Sequence, residues 1–168
     1  MRTYVSREEA YQNVLPFDVE DARVRFLNFS GIGSQYNREG DRNFTLIINP
    51  EDVEELTDKG WNVRPKTLDE DEVEYRLNVA VSFRSFKNIP PVAIYTHCNG
   101  VTTKISEETV ADLDNADIRS IDLTVRPRAW EDYKTGELKI KAFLKEMHVV
   151  LNPNRWQEKY AAMEHPEE

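Results

Sequence analysis

The chain has 168 residues, 39% of them hydrophobic, and a formal net charge of -9. This length allows one domain with a real core, while no run approaches the roughly 20 apolar residues of a membrane span and the N-terminus lacks an apolar signal region. We therefore expect a soluble intracellular protein. The single Cys98 and the scattered His97, His148 and His165 indicate neither a disulfide framework nor a zinc site.

The negative charge is concentrated in one segment. Residues 51–74 contain ten acidic residues and three basic ones. An acidic chain argues against a generic polyanion binder, which normally shows a basic patch or a high isoelectric point. Because the rest of the chain is close to neutral, it can still be basic on one face.

The first predicted hairpin has a long loop. Residues 22–32 are typical of a strand that bends at Gly31 and Gly33, and residues 44–49 predict the next strand. The turn-rich stretch between them is either a solvated loop or a source of nucleic-acid contacts. Its candidate binding residues are one aromatic and two cations: Tyr36, Arg38 and Arg42.

A short helix is predicted next, with Asn49 as the N-cap and Pro50 at the first helical position. It ends near Asp58, before Gly60. Residues 67–74 predict a solvated acidic loop. Clustered carboxylates can bind a metal, but four consecutive acids lack the spaced ligands of a calcium loop.

Residues 73–83 show a clear strand pattern, with one apolar face that indicates a half-buried antiparallel sheet. That face consists of Val73, Tyr75, Leu77, Val79, Val81 and Phe83. The loop after this strand again mixes cations with an aromatic, and its candidate binding residues are Arg84, Phe86 and Lys87.

A second, tighter hairpin follows. Residues 92–98 and 101–105 predict two strands joined across Asn99 and Gly100, which is a strong hairpin signal. Ser106 then predicts the cap of a short helix that runs to about residue 113.

Residues 118–151 predict two long strands joined by a four-residue loop in which Gly136 adopts a positive φ. The resulting register places three pairs opposite each other: Trp130 and Lys139, Arg128 and Lys141, and Arg126 and Phe143. The apolar alternation slips in phase after residue 144, which predicts a β-bulge near Lys145 or Glu146.

The polar face of this hairpin combines cations with aromatic rings. Single-stranded nucleic acid is held by cations that follow its phosphates and by rings on which its bases stack. The alternative is that long Lys and Arg stems only cover the sheet surface. The candidate binding residues on this face are Lys139, Lys141, Phe143, Lys145, Arg126, Arg128 and Trp130.

About seven strands, two short helices and no βαβ rhythm predict a mainly β fold. An OB-fold-like antiparallel barrel with extra hairpins fits best. We expect an N-terminal arm over residues 1–20 with a helical turn at 7–13, one domain over 21–152, and a tail over 153–168 with an acidic end. In the tail, Trp156, Tyr160 and Met163 recur at helical spacing.

Several short segments, in order, resemble the OB-fold single-stranded DNA-binding proteins of tailed bacteriophages. They are NFSG, YNREGDRNF, GWNV, VAVSF followed by PP, and VRPRAWEDYKTGELKIKAFLKEMHVVL. The similarity covers about residues 23–151. It implies a non-enzymatic protein, with no catalytic residues and no cofactor, that protects phage single-stranded DNA during replication or recombination. Its expected location is the cytoplasm of the infected host.

Two other functions stay open at this stage. One is a virion or host-interaction β-protein with no nucleic-acid role, and the other is a metal-dependent nuclease that uses residues 69–72. For the DNA-binding function, the expected partners are single-stranded DNA and, through the acidic tail, phage replication or recombination proteins. The sequence leaves open whether the protein forms a homodimer.

Overall fold

The computed structural model describes residues 14–35, 37–85, 90–131, 133–136 and 138–153, with only the backbone of Trp130, Glu131 and Leu138. The predicted helical turn at 7–13 and the tail beyond Pro153 lie outside the described residues. The described chain is mainly β, as predicted. Its strands are β1 (Phe17–Val19), β2 (Val24–Asn28), β3 (Arg42–Ile48), β4 (Arg64–Asp69), β5 (Glu72–Val81), β6 (Ala93–Cys98), β7 (Val101–Ile105), β8 (Ile118–Glu131) and β9 (Leu138–Leu151).

Two short helices accompany the strands, α1 (Pro50–Asp58) and a 3₁₀ helix (Val110–Asn115). Helix α1 confirms the predicted start at Pro50 and the end before Gly60, whose φ is +102°. Asn49 is the N-cap, as predicted, but its side chain makes no cap hydrogen bond. No helix among the described residues is long and apolar enough to cross a membrane.

All nine described strands belong to one mixed sheet, in the order β1-β8-β9-β5-β3-β2, with β4 beside β5 and β6 between β7 and β9. Strand β9 runs parallel to both β5 and β6. The prediction of an antiparallel barrel therefore differs from the observed sheet, which among the described strands is mixed and not closed. Parallel neighbours are joined by long crossovers rather than tight turns, so the local sequence carries no signal for them.

The long hairpin of β8 and β9 confirms the predicted register. Trp130 lies opposite Lys139, and Arg126 lies opposite Phe143. Val125 lies opposite residue 144, while the preceding Thr124 lies opposite residue 146, so Lys145 is the extra residue of the predicted bulge. Gly136 has the expected positive φ, at +71°.

The bulge keeps the core continuous along β9. Before it Ala142 and Leu144 point inward, and after it Met147 and Val149 do so. These side chains belong to the same core cluster as inward residues of β3, β5 and β8. The largest fully buried residues of the described chain are Phe29, Phe44, Leu46, Leu77, Ile94, Leu144 and Met147.

The predicted acidic loop at residues 67–74 is wrong. Strand β4 pairs with β5, which sets Lys66 opposite Glu74 and Thr67 opposite Val73, and only residues 70–71 form the turn. Strand propensity depends strongly on the pairing partner. Here β5 supplies that partner, so a segment with a poor intrinsic preference still joins the sheet.

The burial of two neighbouring residues at the start of β5 is the reverse of the prediction. Val73 is 47% exposed, whereas Glu74 is 8% exposed. The Glu74 carboxylate accepts hydrogen bonds from Arg25 at 2.8 Å and from Arg76 at 2.8 Å. These two bonds, that of Arg25 first, hold the pKa of Glu74 below its usual value. A buried carboxylate is tolerated here because both of its oxygens are paired.

The low pKa of Glu74 predicts an acid-dependent contribution to stability. It should be complete above the pKa that the carboxyl has in the unfolded chain and be lost as the pH falls through the lower, folded pKa. The difference in free energy of unfolding between wild type and Glu74→Gln should therefore shrink on acidification, as measured by urea unfolding. Glu72→Gln, at an exposed position of the same strand, is the control. A difference that does not vary with pH would contradict this account.

The other turn signals are borne out to different degrees. Strands β6 and β7 meet across Asn99 and Gly100, with φ of +52° and +77°, as predicted. The helix predicted from Ser106 instead starts at Val110 and is a 3₁₀ helix. The Ser106 carbonyl accepts hydrogen bonds from the Thr109 and Val110 N–H groups, so a turn precedes the helix.

Candidate nucleic-acid interface

The outward face of the β8–β9 hairpin carries the predicted mixture of cations and an aromatic ring. Lys139, Lys141 and Lys145 are exposed, and Phe143 is half-buried between them. The Arg128 guanidinium carbon lies 5.7 Å from the centre of the Phe143 ring, and the Lys141 ammonium lies 5.4 Å from it. Two positive charges thus flank one ring, within the distance at which cations are attracted to aromatic faces.

Arg126 lies at the edge of this face and is partly buried. It donates a hydrogen bond to the Pro90 carbonyl, while its buried Nε has no hydrogen-bond partner in the described structure. Burial lowers the pKa of the Arg126 guanidinium, which nevertheless stays charged at neutral pH. As a charged group at the edge of this face, Arg126 can attract an anionic ligand such as a phosphate.

Five predicted residues from separate parts of the chain line one groove of about 560 Å³. We refer to it as the Phe143 groove, and its predicted members are Arg38, Arg42, Arg84, Lys141 and Phe143. A smaller hollow of about 30 Å³ adjoins it and is lined by Arg126 and Arg128, sharing Arg84 and Phe143 with the groove. The fold therefore brings the loop before β3, the end of β5 and the β8–β9 hairpin together at one surface.

The cations of the groove are not equivalent. Arg38 Nε lies 3.4 Å from an Asp41 oxygen. Arg42 belongs to β3 rather than to the predicted loop, bonds the Phe29 carbonyl at 2.9 Å and lies 3.1 Å from a Glu107 oxygen. These two arginines are partly compensated by neighbouring carboxylates.

Three other cations have no such compensation. No ion pair with a described residue forms at Arg84 or Lys141, which line the groove, or at Lys145, which lies outside it on β9. We therefore expect them to contribute more to phosphate binding than Arg38 and Arg42.

The floor of the groove contains residues that the sequence analysis did not select. Asn43 lies opposite Ala80 on the neighbouring strand, and Ala80 lies beside Phe143 on the other side. Asn78 and Ser82 continue this small, uncharged surface along β5. The period-2 pattern of β5 marked the face, but the parallel pairing of β5 with β9 is what brings it next to Phe143.

The remaining predicted site residues are not placed by the structure. Tyr36, Phe86 and Lys87 lie outside the described residues, and only the backbone of Trp130 is described. Their roles stay predictions.

Two histidines that are 51 residues apart in the sequence meet on the outer face of β6 and β9. His97 Nε2 lies 2.9 Å from His148 Nδ1, and the Tyr95 ring stacks on His148 with centres 5.1 Å apart. These histidines are far apart in the sequence, and their contact was not predicted because the parallel pairing of their strands was not predicted. No group of three or more metal-ligating side chains forms among the described residues. The acidic residues 69–72 are among those described, and they form no such group.

A comparison with protein families identifies the family of this chain. The family model described as "Putative phage ssDNA-binding domain" matches residues 6–168. The chain belongs to this family. Phage single-stranded DNA binding is therefore its function, as the resemblance in the sequence implied, and membership agrees with the prediction of a non-enzymatic protein.

Solved structures share the fold of this phage single-stranded DNA-binding domain. The single-stranded DNA-binding protein from bacteriophage Enc34, in complex with ssDNA, is 11% identical with a TM-score of 0.51, over 83% of this chain and 88% of that chain. A C-terminal truncation of the same protein is 11% identical with a TM-score of 0.50, over 83% and 87%. At this identity the likeness concerns the fold alone. No curated protein matches the chain.

Proposed function

We propose that this protein binds and protects single-stranded DNA during phage DNA replication or recombination, in the cytoplasm of the infected host, with the strand lying in the Phe143 groove. The observation that carries the proposal is that cations and a ring from three distant segments line one continuous surface. The solved relative from bacteriophage Enc34 was crystallised with ssDNA, which supports a DNA-binding role for this fold.

Each part of the groove has a chemical role in this proposal. The Phe143 ring stacks on a base, and the flanking Arg128 and Lys141 bind the adjacent phosphates. Asn43 and Asn78 on the floor offer hydrogen bonds to base edges without adding charge. Such a site tolerates many sequences, because every base has a face that can stack.

The net charge of -9 is compatible with this site because the acidic residues are concentrated elsewhere. Residues 51–58 form helix α1, and residues 69–72 lie at the turn between β4 and β5. None of these acidic residues lines the Phe143 groove. The three carboxylates that do line it, Glu39, Asp41 and Glu107, are outnumbered there by four cations. Binding responds to the local arrangement of charge more than to the total.

We also propose that the sheet has the topology of an OB fold, a five-stranded, partly open barrel. In support, β1 and β2 are consecutive in the chain and lie on the two ends of the strand order. Between them, the Ala22 N–H donates to the Ile121 carbonyl at 2.7 Å, and the Arg23 carbonyl accepts from Ile47 at 2.9 Å. One bent segment then spans both ends of the sheet. The groove lies on β3 and β5, the second and third strands counted from β2, and the second and third strands of an OB fold bind oligonucleotides.

Two partner proposals accompany this function. The acidic end of the tail, residues 164–168, is proposed to recruit replication or recombination proteins of the phage, because an anionic tail complements cationic partners. A homodimer is the second proposal, and sedimentation of the DNA-free and DNA-bound protein tests it.

The proposed function predicts salt-dependent binding to labelled oligo-dT. Affinity should fall as salt rises, because cations that neutralise phosphates release counterions. Lys141→Ala and Lys145→Ala should each reduce the slope of log affinity against log salt by about 0.7, the value for one phosphate contact on a single strand. Fluorescence anisotropy at several salt concentrations measures this slope.

A matched control and a contrary outcome are available for this experiment. Lys104 is exposed on β7 and does not line the groove, so Lys104→Ala should leave the slope unchanged. Equal slopes for wild type, Lys141→Ala and Lys145→Ala would show that the phosphates are bound elsewhere. No binding at any salt concentration would favour the virion or host-interaction alternative.

A further inference from the structure

Phe26 has an unusual position for a large apolar residue. Its side chain is 66% exposed, and its φ is +56°, in the left-handed region that bulky residues rarely adopt. It lies in the irregular part of β2, where the pairing register shifts between Arg25 and Asn28. A largely exposed ring adds little to the core, and a bulky residue in this backbone conformation is strained. Such strain often occurs at functional sites.

Cations are arranged around this ring. The Arg76 guanidinium carbon lies 5.2 Å from the centre of the Phe26 ring. Arg76 and Arg25 are both held by Glu74, through bonds of 2.8 Å and 2.8 Å. Since one carboxylate orients two guanidinium groups, the trio keeps a net positive charge in a fixed geometry.

Strand β4 adds two more cations to the same face. Arg64 lies opposite Arg76, and Lys66 lies opposite Glu74, and directly paired residues share a face of the sheet. Both are exposed and make no ion pair with a described residue. We refer to Phe26, Arg25, Arg64, Lys66 and Arg76 together as the Phe26 cluster.

The Phe26 cluster lies on the same side of the sheet as the Phe143 groove. Arg25 pairs with Thr45, and Thr45 pairs with Asn78 in the groove floor. Along β5, Arg76 precedes Ala80 by four residues, which corresponds to about 13 Å. A strand leaving the Phe143 groove can therefore reach the cluster across β3 and β5 without crossing an edge of the sheet.

We infer that the Phe26 cluster is a second contact site for the same single-stranded DNA, in which Phe26 stacks on a base and Arg25, Arg64, Lys66 and Arg76 bind phosphates. The inference rests on the proposed function. The combination of an exposed ring and surrounding cations favours nucleic acid over an apolar protein surface, because burying these cations against apolar groups would be costly. The acidic turn at residues 69–72 marks the end of the cluster.

Length-dependent binding tests this inference. Full-length protein is titrated with labelled oligo-dT of about 4 to about 16 nucleotides, the range of site sizes for one OB fold. Wild-type affinity should rise with length once the oligonucleotide reaches both sites. Phe26→Leu should bind the longest oligonucleotide about 5- to 150-fold more weakly, the range that corresponds to one lost stack, and the shortest one as wild type does.

A second variant keeps the test independent of Phe26. Replacing Arg64 and Lys66 with alanine should reduce the salt slope for the longest oligonucleotide by about 0.7 for each residue and leave that for the shortest unchanged. Val101→Ala, at a position 62% exposed in β7, is the matched control for an exposed apolar residue and should bind as wild type at every length.

Three outcomes separate the possibilities. Length-dependent weakening in both variants supports the second site. Wild-type binding by both variants at all lengths, or equal weakening at every length, overturns the second site and leaves the proposed function intact. Failure of the wild-type protein to bind any of the oligonucleotides overturns the proposed function itself.

Discussion

Replacing Phe143 with leucine is expected to weaken binding of single-stranded DNA by roughly 1 to 3 kcal/mol, the contribution of one stacked base. Leucine retains much of the apolar surface of Phe143 but removes the ring that lies between Arg128 and Lys141. Because Phe143 is only half-buried on the outer face, the free energy of unfolding should change little. Oligo-dT titration and thermal unfolding of the same samples measure both quantities.

The same substitution in the core is the matched control. Phe44 is fully buried, so Phe44→Leu should lower stability by more than about 1 kcal/mol. If Phe143→Leu lowers the melting temperature as much as Phe44→Leu does, the Phe143 ring is part of the packing. Its assignment to the DNA-binding face would then be wrong.

The success with the β8–β9 hairpin shows what a sequence can specify. Its register depends on a short loop and on two alternating patterns, all of which are local. The bulge at Lys145 was visible as a slip in the alternation, because inward residues must stay inward on both sides of it. The turn at Asn99 and Gly100 was also predicted correctly, because its signal is local as well.

The misassignments concern contacts between distant segments. The acidic stretch before β5 forms strand β4 because β5 offers it a partner, and no local pattern records that pairing. Glu74 is buried because Arg25, 49 residues away, reaches its carboxylate. A period-2 pattern assumes that charged residues face water, and this assumption fails where a distant cation compensates the charge.

The residues of the candidate site also fall into two groups, those that residue type alone could select and those that only strand pairing brings together. Residue type was sufficient to select Phe143, Lys141 and Arg84, because rings and cations are what single-stranded DNA requires. The floor of the Phe143 groove and the Phe26 cluster depend on which strands are neighbours. In particular, the parallel pairing of β5 with β9 places Ala80 beside Phe143. Such a pairing becomes visible only in three dimensions.

Asp114 links the fold to the binding surface. One of its carboxylate oxygens accepts a hydrogen bond from the Phe29 N–H at 2.7 Å, and the other accepts from the Ser30 N–H at 3.0 Å and from the Ser30 hydroxyl. The loop that carries Arg38 begins here, and Arg42 donates to the Phe29 carbonyl. The 3₁₀ helix therefore fixes the start of the loop that forms one wall of the groove.

Asp114→Ala is expected to lower the free energy of unfolding by on the order of 3 kcal/mol, because it removes several charge-assisted hydrogen bonds and leaves the N–H of buried Phe29 without its acceptor. Urea unfolding measures this loss. Asp112 is exposed on the same 3₁₀ helix, so Asp112→Ala should change stability by less than about 0.5 kcal/mol.

The same variant also tests whether the loop before β3 contributes to binding. Under conditions where Asp114→Ala remains folded, oligo-dT affinity should fall because Arg38 is no longer held beside the Phe143 groove. Asp114→Asn keeps one carbonyl acceptor and should lie between wild type and Asp114→Ala in both stability and affinity. If Asp114→Ala were as stable as Asp112→Ala, the carboxylate would not be what anchors the loop. If instead stability fell while affinity stayed at the wild-type value, the DNA would be bound by β5, β8 and β9 alone, without this wall of the groove.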